Sequence, residues 1–231
     1  EENVGRTLIQ NATIFTATGA EPFKGDLVIE GNRIVSVGSG ENAQTADEVI
    51  DASGMFCMPG MTEGHTHLSF ENVCATEDLI TPSPETQVFT AARGAKALIE
   101  AGFTSAYGAS EAKLKLAVAV REEVNAGCLP GPRIRAGGLE ISVTGAMGDE
   151  STAHNPRIGP STIVDGVEEM RKAVRLHCRE GIDNVKLDVS GDPFYPNTPG
   201  HTTPMTFDEI RVAAETAHAY GRKINAHTRS I

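Results

Sequence analysis

From Pro59 onward one pattern recurs: an apolar strand, a polar loop, an amphipathic helix, a closing glycine, and then the next strand. This regularity constrains the fold most, because strands alternating with helices at such spacing make a parallel sheet with right-handed crossovers. The first helix is expected to open at Ser83-Pro84, stripe Val88, Ala92, Ala95 and Ile99, and stop at Gly102. A second is expected after Ser110, with Leu116, Val120 and Val124 on one face, ending at Gly127. A third follows Asp165, with Glu168 three residues on, Val167, Met170, Val174 and Cys178 as its stripe and Gly181 as its end. The fourth begins at a Thr206/Glu209 capping box, stripes Ile210, Ala213, Ala214 and Ala217, and ends at Gly221. The strands between are 59–68, 103–108, 132–138, 184–191 and 222–228. This α/β pattern leaves two architectures, an open doubly wound sheet or a (β/α) barrel.

Residues 6–57 read differently, as short strands with a hairpin signal in "EGNRIV" and no stretch periodic enough for a helix. An antiparallel β module over 1–58 followed by an α/β domain over 59–231 is the expected organisation.

Parity assigns strand faces. In 184–191, Val185, Leu187 and Val189 oppose Lys186, Asp188 and Ser190, and in 222–228, Ile224 and Ala226 oppose Lys223, Asn225 and His227. In the first strand Met61, Glu63, His65 and His67 share a face. Strands of an open sheet are covered by helices on both sides and should be apolar throughout. One apolar and one polar face suits a barrel, where polar residues converge inside near the C-terminal mouth.

His65 and His67 lie about 6.6 Å apart along such a strand, within reach of one cation. Taken alone, His-x-His fits a polar strand end as well as a ligand pair. Lys186 is sharper: an ammonium among apolar strand residues must pair with an anion, lose its proton, or react. A neutral amine can capture carbon dioxide as a carbamate that bridges two cations; an internal salt bridge with Asp188 or a neighbour is the structural alternative. His227 is either a ligand or a hydrogen-bonded core histidine. His177 and His218 fall in helices, and His154 and His201 in long loops on the side where barrels bind substrate.

The net charge of −11, without basic runs, disfavours nucleic acid and anionic membrane and leaves a small molecule as the expected partner, with self-association open. The four dispersed cysteines, Cys57, Cys74, Cys128 and Cys178, read as reduced thiols. With no signal-peptide pattern and no membrane-length apolar run, a cytoplasmic protein is expected, although the first residue is not methionine.

"DASGMFCMPGMTEGHTHL", "NVKLDVSG" and "INAHT", in that order, resemble the metal-dependent amidohydrolase superfamily, especially its imidazolonepropionase-like and prolidase-like branch. The resemblance implies a TIM-like (β/α)8 barrel, here about five βα units, with residues 1–58 forming part of a composite β-sandwich. It implies that His65 and His67 bind one metal, that carboxylated Lys186 bridges two, and that His227 binds the second. Two divalent ions, zinc by expectation, with carbon dioxide as the lysine carbamate, would hydrolyse a C–N amide bond of a dipeptide, N-acyl amino acid or similar small molecule using metal-activated hydroxide. A cyclic amidase, a deaminase or a non-catalytic scaffold are the alternatives; deaminases of the superfamily generally lack the strand-four lysine. Three features depart from the pattern. Glu63 stands where aspartate is usual, and Thr144-Gly145-Ala146-Met147-Gly148 lacks a histidine that relatives carry. The third is length: a full barrel takes about 250 residues, so the expectation is a cut or incompletely represented chain, inactive by itself.

Overall fold

The computed structural model describes residues 5–38, 46–195 and 197–229. Residues 1–4, which bear on the leader reading, lie outside them. The chain forms two compact units, Glu1–Gly60 and Met61–Ile231.

The first unit is one sheet of β1 (Arg6–Ile14), β2 (Phe23–Glu30), β3 (Arg33–Gly38), β4 (Glu48–Asp51) and β5 (Phe56–Cys57). The expected hairpin joins β2 to β3 antiparallel, and β1 pairs antiparallel with β2. The sheet departs from the antiparallel expectation at β4 and β5, which run parallel to β1. Alternating hydrophobicity marks a half-buried strand but carries no direction, so this difference was not written in the pattern. Ala12, Ile14 and Ala52 form the small core.

The second unit contains β6 (Met61–Thr66), α1 (Glu77–Ile80), α2 (Pro84–Glu100), β7 (Phe103–Gly108), α3 (Leu116–Asn125), β8 (Arg133–Arg135), β9 (Gly137–Ser142) and β10 (Ser161–Ile163). It continues through α4 (Gly166–Arg179), β11 (Asn184–Asp188), α5 (Phe207–Ala219) and β12 (Lys223–His227). Every strand pair here is parallel, in the orders β6-β7-β8 and β10-β9-β11-β12. Apart from the short β10, strands follow one another in chain order, without the reversal that defines a doubly wound sheet. The two groups meet where Gly108 faces Gly137. A Cβ on Gly108 would sit 2.6 Å from the Gly137 nitrogen, so this approach requires glycine.

The helices cover one side of these strands. Met170, Val174 and Cys178 of α4 and Val212, Ala213 and Ala217 of α5 pack on Ile141, Val185 and Leu187. Ala91 and Ala95 of α2 and Leu116, Ala117 and Val120 of α3 pack with Ile134, Ala136 and Ile182. Capping explains the sharp helix starts. Ser83 accepts from the Thr86 amide ahead of Pro84, and Thr206 and Glu209 form the complete reciprocal box. The second helix begins later than expected, at Leu116, because the preceding residues bond elsewhere: the Glu111 amide donates to Gly138 and the Ala112 amide to Ser69. Among the described residues no helix is long and apolar enough to cross a membrane.

Candidate metal centre

The strand ends gather the polar residues on the side away from the helices. In β11, Val185 and Leu187 point into the helix-facing core, which leaves Lys186 and Asp188 on the other face. Register sets Lys186 beside Asn225 and Glu140, and Asp188 beside His227.

On β6 the alternation assumed from sequence is interrupted. Between Glu63 and Thr66 the pairing with β7 slips by one residue, a bulge at Gly64–His65. The two histidines nevertheless converge, with ring centroids 5.1 Å apart and planes 71° apart. The His65 amide donates to Glu63 Oε1 at 3.0 Å, so Glu63 braces the bulge. His67 Nδ1 lies 2.9 Å from both the Ser110 carbonyl oxygen and Ser110 Oγ, and Phe70 stacks on the ring at 4.4 Å. A carbonyl can only accept, so the proton is on Nδ1 and Nε2 keeps its lone pair.

Lys186 is 2% exposed, with Nζ 3.8 Å from Glu140 Oε1. Glu140 also accepts from Ser110 Oγ at 2.9 Å, which links His67 through Ser110 and Glu140 to Lys186. Asp188 is fully buried beside Glu140; burial first, then the Glu140 charge, holds its carboxyl well above the usual range. Ser161 Oγ lies 3.5 Å from a carboxylate oxygen of each, and Asp188 Oδ1 has no hydrogen-bond partner among the described residues. His227 Nε2 sits 3.2 Å from Asp192 Oδ2 without hydrogen-bond geometry, while Arg229 holds that same oxygen at 2.9 and 3.0 Å.

All three imidazoles titrate below their ordinary range. Burial is the largest cause in each; the Lys186 charge comes next for His65 and His227, whereas the Ser110 bond opposes it for His67. The shift favours the neutral imidazole, the form that donates to a metal.

Among the described residues no three His, Cys, Asp or Glu side chains are arranged to hold a metal. Lys186 occupies the middle of the set, and as an ammonium it repels cations. The donors fit a metal group on one condition, that Lys186 becomes anionic: the Ser110 bonds engage His67 through Nδ1 and not Nε2, and among the described residues His227 Nε2 and Asp188 Oδ1 have no hydrogen-bond partner. The structure brings His67, Lys186 and His227 to one face and His65 beside His67. His154 and His201 stay in exposed loops, and His177 is buried in α4. Glu140 and Ser110 were missed by sequence. A lone Glu in "GGLEISV" is the signal that could have found the former.

A model of the amidohydrolase family matches residues 56–231. The chain belongs to that family. Ochratoxinase of Aspergillus niger is 29% identical over 194 residues, covering 74% of this chain and 38% of that protein. Imidazolonepropionase of Paenarthrobacter aurescens is 50% identical over 44 residues, covering 19% of this chain and 11% of its own. A solved prolidase complexed with N-methylphosphonate-L-proline superposes with a TM-score of 0.85 at 26% identity, over 96% of this amidohydrolase chain and 56% of the prolidase. The A. niger ochratoxinase structure gives 0.83 at 24% identity, over 99% and 57%, a likeness of fold. This amidohydrolase chain therefore spans little more than half of those structures.

Proposed function

We propose that the chain contributes His65, His67, Lys186 and His227 to a two-metal centre of a hydrolase that cleaves a C–N amide bond in a small molecule. The activity is that of a protein as long as the relatives, in which further strands close an eight-stranded barrel and complete a β-sandwich with residues 1–58. The observation that carries the reading is Lys186, an amine buried on the polar face of a central strand and flanked by Glu140 and the His227 strand.

When bound, the metals, zinc by preference, lower the pKa of a water and polarise the substrate carbonyl. The chain's own residues prepare that site. His65 and His67 offer neutral imidazoles from a bulged strand end, and Ser110 fixes which His67 nitrogen is open. Lys186 reacts as the neutral amine: its ammonium first gives up one proton to solvent, the freed lone pair attacks carbon dioxide to form an N–C bond, and a second proton leaves nitrogen to solvent, so an ammonium is replaced by a carbamate anion with two protons released. That change places three acidic groups, carbamate, Glu140 and Asp188, side by side. Carboxylation and metal binding therefore favour one another.

Dipeptides and N-acyl amino acids are the proposed substrate class, supported by the prolidase and ochratoxinase relatives. The test is a zinc-loaded assay on those amides. A protein of the relatives' length turns over, and the 231-residue chain, proven by intact mass, does not. Turnover by the 231-residue chain overturns the division of the site, and ammonia release from aminated bases without amide cleavage favours a deaminase.

One observation favours a second reading. The Lys186–Glu140 pair is already an internal ion pair, as a non-catalytic scaffold on this fold would keep it. A protein of full length without bound metal and with Lys186 unmodified would decide for the scaffold.

A further inference from the structure

Glu111 is a buried acid with no part in the centre as described. It lies between β7 and α3, 1% exposed, next in sequence to Ser110. Its carboxylate accepts from the Leu68 amide at 3.1 Å, the Ser69 amide at 2.9 Å and the Ser69 hydroxyl. Its own amide donates to the Gly138 carbonyl at 2.7 Å, and the Ala112 amide returns to Ser69 Oγ at 2.9 Å. One side chain thus ties the two residues that follow His67 to the residue that follows Ser110.

Burying a carboxylate is costly unless its acceptors are filled, and burial pushes this carboxyl up to about 7 despite three donors. An apolar side chain would cover the same turn without that cost. What it could not do is aim two consecutive amides and a hydroxyl at one point, and that fixes where His67 leaves the strand. The consequence falls on the ring, because His67 Nδ1 must meet the Ser110 carbonyl and hydroxyl together.

We propose that Glu111 is the positioning residue for His67. By clamping the Leu68–Ser69 turn to the Ser110–Glu111 segment, it holds the imidazole in the Nδ1–H tautomer, with Nε2 open to a cation. The proposal rests on the reading of His67 as a ligand; the tautomer itself can be measured without metal. Partners that orient a ligand histidine typically carry a 10–100-fold effect on metal affinity.

The experiment is 15N NMR of the imidazoles in the metal-free 231-residue chain, followed by zinc titration. Wild type shows His67 as one tautomer, protonated on Nδ1. Glu111→Gln keeps the shape but turns an NH2 toward donors. It yields a tautomer mixture, faster exchange of the Nδ1 proton, and zinc affinity weaker by about 10–100-fold. The ring of His177, buried in α4, is the folded-state reference and does not move. Should Glu111→Gln fail to fold, Ser69→Ala, which removes one hydroxyl from the clamp, gives the same changes on a smaller scale. A folded variant with lower stability but wild-type His67 tautomer, exchange and zinc affinity overturns the proposal, since a purely structural role predicts that outcome. If the tautomer responds but zinc moves neither His65 nor His67 in wild type, positioning stands and the metal reading falls.

Discussion

The two sides of the candidate centre are held by different physics. At the end of β6, His65 and His67 are placed by geometry: a bulge, a ring stack, and hydrogen bonds to Ser110 backed by Glu111. Across β9, β11 and β12 and the loops that follow them, placement is a matter of charge: Lys186 beside Glu140, an Asp188 carboxyl held well above its usual range by burial and by Glu140, and an Asp192 carboxylate held by Arg229 close to His227. On the proposed reading, the first side accepts a cation without covalent change, whereas the second does so only after Lys186 is carboxylated.

The comparison breaks most visibly at Lys186. Lys186→Met leaves two buried carboxyls without their ammonium and should lower the stability of the metal-free chain by about 3 kcal/mol in urea denaturation. Adding Glu140→Gln should recover more than half of that loss. A loss under about 1 kcal/mol would mean that carboxyl protonation, and not Lys186, balances the site.

A neutral buried group calibrates the charged side. His177 is 1% exposed, neither ring nitrogen has a hydrogen-bond partner among the described residues, and burial lowers its pKa from 6.5 to about 4. Its folded pKa lies below the unfolded value, so the unfolded state binds the proton first. The stability it permits is complete above 6.5 and falls as pH drops toward 4, by up to about 3 kcal/mol. His177→Leu should remove that part of the pH dependence and raise stability near pH 7 by about 1 kcal/mol. An unchanged difference between the two proteins from pH 7 to 4 would rule this out.

Zinc separates the sides directly. His67→Ala should weaken zinc binding by about tenfold more than His227→Ala, because outer-shell order of that worth already surrounds His67. Equal losses in chelator competition would erase the distinction. The smallest effect belongs to the helix that delivers β12: Thr206→Ala, which opens the capping box, should cost about 1 kcal/mol and leave the His65 and His67 resonances in place.

Much of this was legible in the sequence, and the exceptions share a cause. Closing glycines located the ends of four long helices, the cap signals at Ser83 and Thr206 held while those at Ser110 and Asp165 did not, and parity placed Lys186, Asp188 and His227 together. Parity fails where a strand changes phase. The stretch "PRIRAGG" was read as one strand, but Ile134 and Ile141 both face the helices, so the polar face moves from odd to even numbers across Gly137–Gly138. That break splits β8 from β9 and hid Glu140. The bulge at Gly64–His65 breaks the same rule in β6, yet the histidines still meet because two imidazoles span the slip. Ser110 and Glu111 looked like a helix start, since the tertiary bonds that hold them non-helical join residues more than 25 positions apart. Strand direction in the first unit was unreadable for a related reason, as pairing is set by distant chain segments rather than local pattern.

The most direct test of the central claim is 13C NMR of the protein equilibrated with 13C-bicarbonate, with and without stoichiometric zinc. The account predicts a carbamate resonance that appears with zinc in wild type, is absent from the metal-free chain, and is lost in Lys186→Met. Zinc held at His65 and His67 with no such resonance would contradict it and leave Lys186 as the ion-pair partner of Glu140.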